Sequence, residues 1–302
     1  MIKHRVLLTG VGGPAGRALV SQLVAKGLFV VGVDMQAVAN PHIVTHLVPP
    51  VSDPRMLPEL RRIVSDYGIT LLIPTISEEL PLIAKERAHL GAQVEVVISR
   101  PEPVMLAHDK YLTAARLRSC QVAVPRFGRP SDFWDAEEAY SYFDGPFILK
   151  PRVSRGARGV VLVDRPDQVD WKDIPRSYVI QEFAPGPEFA PVVFRSDTGR
   201  ALPDSVVVLE KTGLAQGPIG NATGVRRDVV GEHRDVGELA LAAVDALGLS
   251  GPADIDVRRR ADGQPVVLEV NARFGANSTS APEILDAVLA TCVERRLCRL
   301  AS

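Results

Sequence analysis

Asp254-Ile255-Asp256-Val257, a short turn, and then Leu268-Glu269-Val270-Asn271-Ala272-Arg273-Phe274 form the stretch that decides how this chain reads. Apolar and polar residues alternate in both runs. Ala261-Asp262-Gly263-Gln264-Pro265 between them is turn chemistry, so two strands joined as a hairpin are expected. Side chains alternate across a strand, which puts Glu269, Asn271 and Arg273 on one face and Leu268 and Val270 on the other. The hairpin would bring Asp256 near Glu269 and Asn271. Two carboxylates and an amide oxygen beside a cation suit a hard metal ion held between protein and polyphosphate, Mg²⁺ first and Mn²⁺ as its substitute. The plainer alternative is a solvated strand face with an ordinary salt bridge, for Arg273 one to Glu269.

Upstream, His108-Asp109-Lys110-Tyr111-Leu112 opens a helix with Asp109 as its cap, and Val122-Ala123-Val124-Pro125 reads as a strand stopped by proline. Gly145-Pro146-Phe147-Ile148-Leu149-Lys150-Pro151 is an apolar strand that carries a lysine. That lysine costs burial free energy unless its ammonium meets an anion. Ser154-Arg155-Gly156-Ala157-Arg158-Gly159 follows at once. Such a loop can fold over phosphates with backbone N–H groups and two guanidinium ions. It departs from the Walker pattern, because it leads into the strand Val160–Val163 and lacks Gly-Lys-Ser/Thr before a helix. Tyr178–Phe183 is the next strand, followed by Ala184-Pro185-Gly186-Pro187-Glu188.

The first 107 or so residues alternate strands and helices, which predicts a parallel sheet covered on both faces. After the strand Arg5–Thr9 come glycines at 10, 13 and 16, and Asp34 closes the second strand. This pattern resembles the dinucleotide fingerprint of reductases and epimerases. Tight strand–helix packing needs the same glycines without a cofactor. Those enzymes also need a tyrosine followed four residues later by a lysine, and no tyrosine here has one. Thr75-Ile76-Ser77-Glu78-Glu79 lies beyond a parallel strand, where such sheets bind ligands. Ser77 reads equally as a helix N-cap with two acids in the first turn.

A length of 302 residues suits two or three lobes. The net charge of −1 gives no nucleic-acid footprint, and Arg258-Arg259-Arg260 beside a turn reads as a solvated strand end. No apolar run reaches the roughly 20 residues that cross a membrane, and none is expected to. The chain enters a strand straight after Met1, without signal-peptide character. Cys120, Cys292 and Cys298 are odd in number and lack metal spacing, which points to reduced thiols in a cytoplasmic protein.

Taken in order, the helix-opening Asp-Lys, the strand ending Lys-Pro, the small glycine-rich loop, Gln-Glu-Phe with Gly-Pro-Glu, and the Asp then Glu-x-Asn strand pair resemble the ATP-grasp superfamily. The glycine-rich opening, Pro-Thr-Ile-Ser-Glu-Glu and Glu-Val-Asn-Ala-Arg-Phe look most like its carbamoyl-phosphate-synthetase-like carboxylate–amine ligase branch. The resemblance implies an α/β ATP-grasp fold with an N-terminal parallel, Rossmann-like domain over 1–107. A central subdomain over 108–183 and a C-terminal one over 184–302 would follow. It implies that Lys110 and Lys150 contact nucleotide phosphates and that Ser154, Arg155, Gly156 and Gly159 belong to a loop covering them. Gln181, Glu182 and Ala184 would form the adenine hinge, Glu188 would bind the ribose, and Lys211 would reach the γ-phosphate. Asp256, Glu269 and Asn271 would hold the metal. Many relatives have Pro where Ala272 stands, and the chain ends about thirty residues after Arg273, which leaves fewer residues for an acceptor pocket.

The implied reaction activates a carboxylate as an acyl phosphate, with ADP leaving and an amine displacing phosphate. Lysines, guanidinium groups and a metal ion would neutralise the charge that repels the incoming acid. Arg273 is the expected clamp for the substrate carboxylate and Glu78 for an amine, with Glu79 as its stand-in. Residues 211–228 are too long and glycine-rich for a simple connector, so they are expected to be a lid with Arg226 or Arg227 facing the substrate. The expected partners are small carboxylates and amines, with neither nucleic acid nor membrane, and with a homodimer left open. An NAD(P)-dependent reductase or epimerase and a catalytically silent nucleotide-binding protein are the competing functions.

Overall fold

The computed structural model describes residues 4–196 and 204–301. The chain opens with β1 (Arg5–Thr9), α1 (Pro14–Ala25), β2 (Phe29–Asp34), β3 (Val44–Leu47), α2 (Met56–Tyr67), β4 (Leu71–Ile73), α3 (Leu80–Glu86) and β5 (Glu95–Val96). Pro14 starts α1 because its fixed φ suits the first helical turn, where its missing N–H leaves no gap. The five strands are parallel, in the order β3-β2-β1-β4-β5. Strand order reverses between β1 and β4, so the loops after them part and leave a crevice at their carboxyl ends.

The glycine turn after β1 serves packing. Gly10 adopts a φ of 62°, and a Cβ on Gly16 would come within 2.1 Å of the Gly10 carbonyl oxygen. The Asp34 carboxylate accepts N–H groups from Gly12 at 2.9 Å and Gln36 at 3.1 Å. The acid that would read a ribose in a dinucleotide site is engaged with the turn's own backbone.

Then come α4 (Pro101–His108), α5 (Lys110–Ser119), β6 (Phe127–Gly128), α6 (Ala136–Tyr142), β7 (Phe147–Pro151), β8 (Val161–Val163) and β9 (Tyr178–Glu182). Asp109 caps α5 as expected, accepting the N–H groups of Tyr111 and Leu112. The strands form an antiparallel sheet in the order β6-β9-β7-β8. No strand forms at Val122–Pro125. Pairing begins two residues beyond Pro125, at Phe127, because proline brings no N–H to a ladder. Val122 and Val124 are buried all the same.

The remainder is β10 (Glu188–Phe189), β11 (Val192–Arg195), β12 (Ser205–Val207), β13 (Leu209–Gln216), β14 (Ile219–Arg227), α7 (Arg234–Leu247), β15 (Gly251–Arg259), β16 (Pro265–Asn271) and α8 (Pro282–Ala301). Its sheet runs β12-β11-β15-β10-β13-β14, with β16 on β15. The segment expected as an irregular lid is mostly the β13–β14 hairpin, turning at Gly217 with a φ of 66°. Gly213 faces Gly224 within that ribbon, so two of the glycines that suggested a loop sit inside paired strands.

One apolar cluster joins Val6, Leu8 and Leu19 to Phe194, Phe274 and Ile284. A second runs from Leu7 and Leu72 through α4, α5 and α7 to Ile255 and Val270. The four-stranded sheet has its own core around Phe147, Leu149 and Ile180, and a cleft separates it from β15 and β16. Among the described residues no helix is long and apolar enough to cross a membrane. Cys120 and Cys292 are thiols, and the Cys298 side chain lies outside the described residues.

Candidate active site

The β15–β16 hairpin sets Asp256 opposite Glu269 and Asp254 opposite Asn271. Asp256 pairs with Glu269 while Val257 pairs with Val267, so Leu268 is the extra residue of a bulge. Bulges re-aim side chains. Leu268 therefore lines the cleft beside Glu269 rather than facing away from it, and Val270 alone keeps the expected inward side. β16 stops at Asn271, so Arg273 reaches into the site from the turn beyond the strand. It donates to Asn271 Oδ1 at 3.1 Å, to the Phe274 carbonyl at 2.9 Å and to Ser77 Oγ at 3.2 Å. Its ion pair is with Asp254 at 3.8 Å, not with Glu269. Ser77 thus accepts from an arginine and caps no helix.

Three lysines converge on these carboxylates. Lys150 is buried and donates to Gln181 Oε1 at 2.7 Å and to the Leu268 carbonyl at 3.2 Å. Burial lowers its pKa to about 8, against the pull of Glu269. Lys110 donates to the Ser154 carbonyl at 2.8 Å and stands 3.3 Å from Glu269 Oε2. Burial opposes ionisation of Glu269, yet Lys110 and Lys150 outweigh it and hold the carboxyl down to about 2. Lys211 bridges Glu188 at 2.5 Å and Asp256 at 2.6 Å. Burial works against its charge, but Asp256 and Glu188 outweigh burial and raise it above the ordinary lysine range. The cleft here encloses about 120 Å³, with Ala157, Ala184, Asn221 and Asp256 among its lining residues.

Among the described residues no three His, Cys, Asp or Glu side chains converge as a ready metal centre. The donor set is two carboxylates and an amide, all oxygen, and each carboxylate already faces an ammonium. Such a set fits a hard cation whose remaining ligands come from a polyphosphate.

The loop after β7 has left-handed backbone at Gly156, Ala157 and Gly159, with φ of 62°, 57° and 72°. A Cβ on Gly156 would meet nothing closer than 3.7 Å, whereas one on Gly159 would be 2.9 Å from Pro151 and Tyr178. Arg155 Nε lies 2.6 Å from Glu78 Oε1, so this loop also touches the N-terminal lobe. Glu182 accepts the Arg126 N–H on its carboxylate at 2.9 Å and meets Arg260 at 3.3 Å. The three consecutive arginines are not a solvated end. Arg258 is buried against Glu188 and the Phe183 ring, Arg259 pairs with Asp235, and Arg260 with Glu182.

Arg226 and Arg227 fall outside the cleft. Register pairs Lys211 with Val225 and Glu210 with Arg226, so Arg226 projects from the face opposite Lys211. It pairs with Glu210 at 2.5 Å, and Arg227 pairs with Glu283 on α8.

Two residues, Asp254 and Arg152, carried no role in the sequence reading. Asp254 is largely buried between Arg273 and Gly275, where a Cβ would come within 2.0 Å of its Oδ2. Burial, and then Asp256, push it up to about 7. Its signal was the other acid of the Asp-Ile-Asp alternation. Arg152 grips the cap Asp109 at 2.6 Å, a contact with no local signature. Glu79, read as a stand-in for Glu78, is the buried member of that pair.

Residues 107–277 match the ATP-grasp domain family. Over 192 residues the chain is 29% identical to a D-alanine–D-alanine ligase of Cupriavidus taiwanensis, covering 58% of this chain and 57% of that protein. The chain thus spans a little over half the length of the curated relatives it matches. The L-amino acid ligase of Bacillus licheniformis superposes with a TM-score of 0.71 at 20% identity, over 92% of this chain and 70% of its own. The biotin carboxylase of Campylobacter jejuni, solved as a β,γ-ATP complex, gives 0.70 at 14% identity, over 96% and 71%. At such identities these two likenesses speak for the fold.

Proposed function

The chain belongs to the ATP-grasp family, and on that premise we propose that it is an ATP-dependent ligase. It would join a small carboxylate to an amine or related nucleophile and release ADP and phosphate. The observation that carries this reading is the convergence of Lys110, Lys150 and Lys211 on Glu269, Asp256 and Glu188 in one cleft. So dense a set of mutually neutralised charges is arranged to be rearranged when a polyphosphate enters.

In this reading Lys110 and Lys150 hold nucleotide phosphates, and the loop containing Ser154, Arg155, Gly156 and Gly159 covers them. Gln181 positions Lys150 through its side chain. The Glu182 and Ala184 main chain faces the adenine edge, and Glu188 takes the ribose hydroxyls. Asp256, Glu269 and Asn271 hold Mg²⁺ or Mn²⁺, which when bound neutralises polyphosphate charge. Arg273 orients the substrate carboxylate. A carboxylate oxygen bonds to the γ-phosphorus as the bond to the bridging oxygen breaks, giving acyl phosphate and ADP; Lys211 stabilises the transferring group. The amine lone pair then attacks the acyl carbon, phosphate departs, and the amine loses a proton. Glu78 receives the amine.

The test is ADP release with Mg²⁺ and ATP over a panel of carboxylates and amines, with products read by mass spectrometry. Sustained ADP formation should need both partners and match the condensed product mole for mole. ADP release indifferent to every carboxylate would overturn the reading.

A further inference from the structure

Thr9, Gly10, Ile76, Glu78 and Glu79 meet where β1 and β4 reverse the strand order, and there they border a cavity of about 220 Å³. That is ample against the ~30 Å³ a water occupies. Its walls are Val33, Met35, Val48, Met56 and Ile76, with prolines 49 and 50. The charged groups that face it are three carboxylates and one guanidinium, that of Arg155, which is turned onto Glu78. Both Asp34 oxygens already accept backbone N–H groups. Glu79 accepts the Thr9 hydroxyl and the Ile76 N–H. The Arg155 cation faces Glu78 Oε1, while Glu78 Oε2 is buried with no hydrogen-bond partner. A carboxylate ligand would meet three acids here; an ammonium would meet an unfilled acceptor.

We infer that this cavity selects the nucleophile, and that the nucleophile is a primary amine with a compact apolar body. The body fills the valine–methionine pocket and the ammonium turns to Glu78. The inference deepens the ligase reading and rests on it for the direction of the amine. Ser77, next to Glu78, accepts from Arg273, and Arg155 belongs to the loop assigned to the phosphates. The mouth of the cavity therefore opens beside the groups that would hold the acyl phosphate. An arginine drawn toward incoming phosphate would also leave Glu78 to the amine.

Calorimetry on the full chain with 3-methylbutylamine, ethanolamine and 4-methylpentanoate separates charge from apolarity. The first should bind about ten-fold or more tighter than either of the others, since apolar contacts and charge must both match. Glu78→Gln should weaken it by about ten-fold. Met35→Arg should abolish the preference while sparing the core, because Met35 is 53% exposed. Equal binding of the two amines, preference for the acid, no binding of 3-methylbutylamine, or indifference to Met35→Arg would each overturn the inference. The readout is independent of turnover. Binding without carboxylate-dependent ADP release would remove the ligase reading and keep the pocket, and the converse result would do the opposite.

Discussion

Glu269 in the cleft and Glu79 in the N-terminal lobe are the same residue type, both set deep among other groups. The first faces Lys110 and Lys150 and is held down to about 2. The second meets a threonine hydroxyl and backbone N–H groups, which burial outweighs, and it is pushed up to about 7. Depth alone therefore decides neither charge state. A hydrogen bond from a neutral donor stabilises a carboxylate far less than a nearby ammonium does. Glu269 keeps its charge across the physiological range, whereas Glu79 changes its own within it.

The largest blow to this contrast should come from Glu269→Gln, which keeps the shape and removes the charge. Turnover should fall by about 10²-fold or more, with the circular dichroism spectrum unchanged. ADP release at the wild-type rate in saturating Mg²⁺ would remove Glu269 from the metal set.

Glu79→Gln tests the other side. A carboxyl whose folded pKa of about 7 exceeds its ordinary value of 4.5 binds its proton more tightly in the native state. Wild type should therefore lose stability as pH rises from 4.5 to about 7, and lose no more above it. The difference from Glu79→Gln, read by urea titration across that window, should reach at most about 3 kcal/mol. Glu78 and Arg155 face the same cavity in both proteins, so the difference isolates Glu79. A constant gap at all pH values would show that Glu79 titrates alike in the folded and unfolded chain.

Lys150→Met should weaken ATP binding by about ten-fold, the scale of one lost charge-assisted contact. Equal affinities by calorimetry would leave the lysine a purely structural partner of Gln181. Arg226→Ala sits at the small end. Its pair with Glu210 is exposed and lies outside the cleft, so kcat/KM should stay within about two-fold. A large loss would return Arg226 to the site.

The residues themselves determined a good deal. Strand–helix alternation over the first hundred residues specified the parallel sheet, because periods of two and near four record which faces are buried. The Asp254–Phe274 alternation specified a hairpin with Asp256 facing Glu269. The lysine in the apolar strand, Lys150, called for a polar partner, which the fold supplies in Gln181 Oε1 and the Leu268 carbonyl. Tertiary structure decided the rest. The bulge that turns Leu268 into the cleft breaks the alternation it would be read from. The pairing of Glu210 with Arg226 hangs on hairpin register, which glycine-rich sequence concealed as loop. Arg155 meets Glu78 across 77 positions of chain, and Arg273 meets Ser77 across 196. Local pattern tells which way a side chain points relative to its own strand or helix. Which distant group it finds there is set by how the sheets pack, and no short window of sequence contains that packing.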